Sequence, residues 1–163
     1  MVAQNVTFGL LAAVIVVAAL RVVTTRNVVH AALYLVVVLA GVGANFLLLG
    51  AEFIGVTQIL VYIGAIVVLF LFGIMLTRAP IGTTVRLTNA SWPSSLVVSI
   101  GLAAVLGYVL VDYFGDEELP ENTRQLTATV SDSIFADYLV PFEVVSILLT
   151  AALIGAIVIA RRD

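Results

Sequence analysis

Apolar residues run along this chain in blocks too long and too unbroken for the half-buried helices of a water-soluble domain. The blocks fall at about residues 5–23, 28–49, 53–76, 94–114 and 141–160. Each is near the roughly 20 residues that a transmembrane helix requires. The pattern predicts an all-α integral membrane protein with five transmembrane helices, forming a single transmembrane domain over residues 1–163. No basic stretch precedes the first block and no small-residue cleavage pattern comes after it, so the first helix is expected to stay in the product.

The third block departs from the pattern of a plain anchor. As a helix, residues 53–76 would extend roughly 36 Å, longer than a hydrocarbon core of about 30 Å. Within that length stand Gln58, Tyr62 and Gly64, where lipid offers no hydrogen-bond partner. Such groups are expected to face protein or water. Glycines at 55, 64 and 73 also suit close approach of neighbouring helices, with Tyr62 hydrogen-bonding across the contact.

Composition agrees with a membrane solvent: the chain is 63% hydrophobic and 10% charged, with a mean hydropathy of +1.23. A soluble domain carries about 25% charged residues. Charge then sets an orientation. The sequence has no lysine, and six of its seven arginines (Arg21, Arg26, Arg78, Arg86, Arg161 and Arg162) fall on one side of a five-span arrangement. The other side collects Glu52, Asp116, Glu117, Glu118, Glu121, Asp132 and Asp137, with Arg124 the exception. The positive-inside rule therefore predicts an outer N-terminus, a cytoplasmic C-terminus and an outer loop over residues 115–140. The acidity of that loop reads as solvated surface. Residues 133–140 (SIFADYLV) are apolar enough for a short interfacial helix, and Trp92 fits an aromatic belt.

Absences narrow the chemistry. Without cysteine there is no thiolate to hold an iron–sulfur cluster or zinc, and with His30 as the only histidine the chain cannot supply two histidine ligands to haem. No phosphate-binding glycine loop and no nucleophile–base pair is present, so no cofactor, metal site or catalytic residue is expected on this chain. Paired ionisable groups near the midplane, expected of a self-sufficient transporter, are also missing.

The segments RVVTTRNVVHAALYLVVV and EFIGVTQILVYIGAIVVLFLFGIML, with PFEVVSILLTAALIGAIVIARR at the end, carry a family resemblance. The chain resembles subunit J of the bacterial proton-pumping NADH–quinone oxidoreductase (respiratory complex I), the counterpart of the sixth mitochondrially encoded membrane subunit. The match covers residues 21–77 well and resumes at 141–162, while 78–140 adds a compatible span and loop. The resemblance implies a multi-pass protein of the cell inner (plasma) membrane. Its partners would be the lipid bilayer and the other membrane and peripheral subunits, with no nucleic acid. Flavin, iron–sulfur clusters and quinone would belong to those partners, making this chain a non-catalytic subunit of the enzyme.

For the third helix the resemblance implies a π-bulge around Tyr62, Gly64 and Ala65 that can revert to regular α-helix. Losing one residue of excess winding rotates the subsequent turns by about 100° and shifts them about 1.5 Å. Leu69, Phe70 and Phe72 would then present a different face to a water path. Where some family members carry Glu, this chain has Gln58, an amide that orders water but cannot release a proton. Glu52 and Glu143 each admit two readings, a carboxylate favouring the start of its helix or a group on a proton path. The sequence leaves three roles open: a coupling subunit of the oxidoreductase, a purely structural assembly subunit, or an independent homo-oligomeric channel or transporter.

Overall fold

The computed structural model describes residues 2–77, 91–115 and 125–161. They form α1 (Val2–Thr24), α2 (Val28–Leu48), α3 (Glu52–Leu76), α4 (Trp92–Phe114), α5 (Thr127–Ala136) and α6 (Leu139–Ala160). Five of these, all but α5, are long and apolar enough to cross a membrane.

Helix ends obey local chemistry. Asn27 opens α2 with extended backbone, and its Oδ1 accepts the Val29 and His30 N–H groups at 2.9 and 3.3 Å. That satisfies two donors that have no partner inside the helix. At the other end Gly50 takes φ 77°. Its N–H donates to the Leu47 carbonyl at 3.1 Å, and the Ala51 N–H donates to that of Phe46 at 2.9 Å. This pair of bonds closes a helix through a left-handed residue, a conformation that glycine adopts without a Cβ clash. The chain thereby turns at once from α2 into α3.

Packing concentrates in α1, α2 and α3. Gly41 of α2 leaves room for the Ile15 side chain of α1, and Ala18 and Ala32 are buried in the same bundle. Gln4 Nε2 donates to the Leu48 carbonyl at 3.1 Å, tying the start of α1 to the end of α2. Below the turn, α2 and α3 cross through Gly43 and Gly55. Small residues let helix backbones approach in a solvent that supplies no hydrophobic drive between helices.

The remaining helices are looser. A single parallel bridge joins Ala51 to Gln125, α5 lies against the start of α3, and the Phe135 and Phe142 rings meet edge to face at 5.2 Å. Among the described residues, nothing packs against α4. Nearly all of the large apolar side chains of α4 and α6 point outward, as they can in lipid or against another chain but not in water.

Two local expectations change. The short helix of the loop is Thr127–Ala136, not residues 133–140; Asp137 and Tyr138 break the helical run, and Leu139 and Val140 open α6. Pro141 is thus the third residue of α6, where its missing N–H costs nothing because first-turn donors have no intrahelical partner. Glu143 becomes the fifth residue and lies past the first turn, which weakens the helix-start reading for it. Arg78, Arg86, Asp116, Glu117, Glu118, Glu121, Arg124 and Arg162 lie outside the described residues.

Candidate functional site in the third helix

Across the middle of α3 the backbone changes its winding. Glu52–Thr57 is α-helical, Gln58–Val67 is π-helical, and Val68–Leu76 returns to α. In a π-helix each N–H reaches back five residues rather than four, which widens the coil and accommodates extra residues without interrupting it. The entrance is marked by the Gln58 N–H, shared between the Gly55 and Ile54 carbonyls, and the exit by the Val68 N–H, directed at Ala65. Tyr62, Gly64 and Ala65 all lie within the π-helical stretch, whereas Phe70 lies in the α-helix beyond it.

Gly64 faces open space apart from its own helix. A Cβ built there would meet only the Ile59 carbonyl oxygen, five residues back, at an ordinary 3.7 Å. Gly73 would meet nothing. Of the three glycines in this helix, only Gly55 is used for close approach to another helix among the described residues. The other two lie on outward faces, where lipid or another subunit would be the neighbour.

The polar groups separate in the same way. Gln58 is 9% exposed, packed where α2 and α3 cross, with its Cγ 3.5 Å from where a Gly43 Cβ would lie. Its amide has no hydrogen bond among the described residues. Tyr62 is 45% exposed and so turns toward the surface of the chain. Within this chain the two therefore occupy different surroundings, although they lie about one turn apart. Leu69, Phe70 and Phe72 are also exposed, forming an apolar surface on the segment just beyond the π-helix.

Glu52 is the first residue of α3, half-buried beside the turn, where a carboxylate favours the helix macrodipole. Glu143 is exposed on α6, a helix that makes no packing contact with α3 among the described residues. The structure thus gathers Glu52, Gln58, Tyr62, Gly64, Ala65 and Phe70 along one helix and leaves Glu143 apart. No group of three potential metal ligands occurs among the described residues.

Two residues of α2, not among the candidates read from the sequence, belong with this site. Gly43 receives Gln58 and Ile59, and the run Ala40 to Ala44 (AGVGA) is the small-residue signal for such a contact. Asn45, two residues on, holds its Oδ1 buried without a partner among the described residues. A lone amide inside an apolar block is a polar group that needs a partner from elsewhere.

Comparison with known proteins identifies the family. Residues 18–159 match the family model described as NADH-ubiquinone/plastoquinone oxidoreductase chain 6. The chain is 42% identical to F(420)H(2) dehydrogenase subunit J of Methanosarcina mazei, over 98% of this chain and 92% of that one. It is 35% identical to NAD(P)H-quinone oxidoreductase chain 6 of Nostoc, over 98% of this chain and 80% of the relative. For the Synechocystis protein of the same name the identity is 36%, over 98% and 82%.

Proposed function

This chain belongs to the NADH-ubiquinone/plastoquinone oxidoreductase chain 6 family, and on that premise we propose that it couples quinone reduction on partner subunits to proton movement by changing the winding of α3. It is a multi-pass membrane subunit and carries out no bond-making step itself. The observation that carries this reading is the π-helical stretch Gln58–Val67 in the middle of a spanning helix. A π-helix holds more residues per turn than its neighbours, so converting part of it to α-helix must rotate and advance the turns on its C-terminal side.

The surroundings favour motion at one end. Above the π-helix, Gly55 is held against Gly43 and Leu47, and the turn through Gly50 is closed by two backbone bonds. Below it, Leu69, Phe70 and Phe72 are exposed and free to sweep past a neighbour. A rotation of about 100° there replaces one apolar group by another at a given point on the helix surface. Such an exchange opens or closes an adjoining chain of waters. Tyr62 supplies a hydroxyl near the pivot, and the unpartnered Gln58 amide orders water without carrying a proton.

The names of the relatives contain two electron donors, F(420)H(2) and NAD(P)H. A membrane subunit without cysteine and with a single histidine leaves donor choice, flavin and iron–sulfur chemistry to peripheral partners. For orientation we keep the outer N-terminus and cytoplasmic C-terminus given by the arginines. The Gln4–Leu48 bond and the Ala51–Gln125 bridge support the alternation, since both link segments that five spans assign to one side.

The test uses the assembled complex in its membrane. Gly64→Val adds a branched side chain that stiffens a helix, and inside this chain the space for its Cβ exists. The expected result is a fully assembled complex with normal electron transfer to an artificial acceptor. Quinone-linked activity and proton pumping should fall together. Normal pumping in that complex leaves a purely structural role, and isolation of the chain as a folded, ion-conducting homo-oligomer overturns the subunit reading itself.

A further inference from the structure

The last helix carries polar groups that the coupling reading does not use. On α6, Glu143, Ser146 and Thr150 lie within about 60° of one another around the axis, at about 100° per residue. Ser146 and Thr150 line a groove of about 410 Å³ with Ile147, Ala151 and Ile154, and Glu143 lies one turn before it on the same side of the helix.

The hydrogen bonds give this face a definite chemistry. Ser146 Oγ donates to the Phe142 carbonyl at 2.9 Å, and Thr150 Oγ1 donates to the Ser146 carbonyl at 3.0 Å. A hydroxyl has one proton to give, so both turn only lone pairs outward. The Glu143 side chain, whose carboxylate form only accepts, has no hydrogen-bond or ion-pair partner among the described residues. Two turns of an otherwise apolar helix therefore present acceptors alone. Acceptors facing hydrocarbon, a carboxylate above all, are costly without donors opposite them.

We propose that this face docks a transmembrane helix of a neighbouring subunit that carries a lysine or arginine opposite Glu143 and further donors toward Ser146 and Thr150. This rests on the reading of the chain as part of a hetero-complex. A second copy of the chain would set acceptors against acceptors. The amine of a lipid headgroup reaches the level of Glu143, but Thr150 lies about 10 Å further along the axis, seven residues at about 1.5 Å each. The donors of a single helix run the length of the face.

The experiment places p-benzoylphenylalanine at Ile147 in the complex in native membranes, with irradiation and then peptide mass spectrometry. The same probe at Leu148, about 140–160° from Glu143, Ser146 and Thr150 around the helix, is the control. The expected adduct at Ile147 joins a transmembrane peptide of another subunit with a lysine or arginine within one turn of the attachment point, and the Leu148 adduct does not. Glu143→Lys should then lower the yield of assembled complex about tenfold, through like charges facing each other. Exchanging the partner cation for glutamate in that background should restore the yield to within about twofold. An Ile147 adduct only to lipid, or to a peptide without a cation, overturns the proposal while the complex stands. So does failure of the charge exchange. A chain found in no hetero-complex overturns both readings.

Discussion

Gly43 and Gly55 meet backbone to backbone. A Cβ on Gly55 would lie 3.2 Å from the Gly43 carbonyl oxygen, and one on Gly43 would lie 3.6 Å from that of Gly55. The contact sits three residues before the π-helix begins at Gln58, so under the proposed coupling it would hold the stationary end of α3. A Cβ at Gly55 would also come within 2.8 Å of Leu47 Cδ2. Gly55→Val should therefore destabilise the packing of α2 on α3 by about 1–3 kcal/mol, the usual cost of overfilling a tight contact. Steric-trap unfolding in bicelles measures it. Adding Leu47→Ala should recover only part, because the Gly43 carbonyl stays where it is.

Gly50 gives a second, independent handle on the same end. At φ 77° any other L-residue is strained, by roughly 1–2 kcal/mol. Gly50→Ala should lower stability by that amount, and Gly50→Asn by less, since asparagine tolerates the left-handed region. Equal losses for both variants would mean that the turn relaxes and the left-handed residue is not required.

At the start of α2, Asn27→Ala removes the side-chain acceptor for the Val29 and His30 N–H groups. The expected loss is about 1 kcal/mol. Asn27→Asp should keep most of the capping. Amide hydrogen exchange at Val29 and His30 reads the effect directly, with faster exchange in Asn27→Ala alone.

Gln58 separates packing from water. Gln58 is nearly buried and its amide makes no hydrogen bond within the described residues, so Gln58→Leu, of similar size, removes no bond and should change the stability of the chain by less than about 1 kcal/mol. If the amide orders water in the assembled complex, proton pumping should nevertheless fall while assembly is unchanged. Unaltered pumping would confine Gln58 to a packing role.

The extent of the helices was legible in the sequence because unbroken apolar length is what a bilayer demands. Their ends were less so. The Phe135–Phe142 contact and the break at Asp137 and Tyr138 shift the short helix toward the N-terminus, and hydrophobic residues alone give no hint of that. The small residues of α3 pointed to helix contacts, yet which glycine makes one depends on where α2 crosses, a tertiary fact. Gly43 and Asn45 were visible as a small-residue run and a lone amide, but their meaning came only once Gln58 was seen opposite Gly43.

No other described part of the chain packs on α4, so the other described helices do not dictate the final position of Trp92–Phe114. In the proposed hetero-complex its docking would be an encounter between separate molecules, governed by mass action in the plane of the membrane. Synthesis of this chain in excess over its neighbours would leave α4 undocked, and the surplus would be open to quality-control proteases. In that complex the abundance of the protein would be tied to the supply of the surfaces it fits.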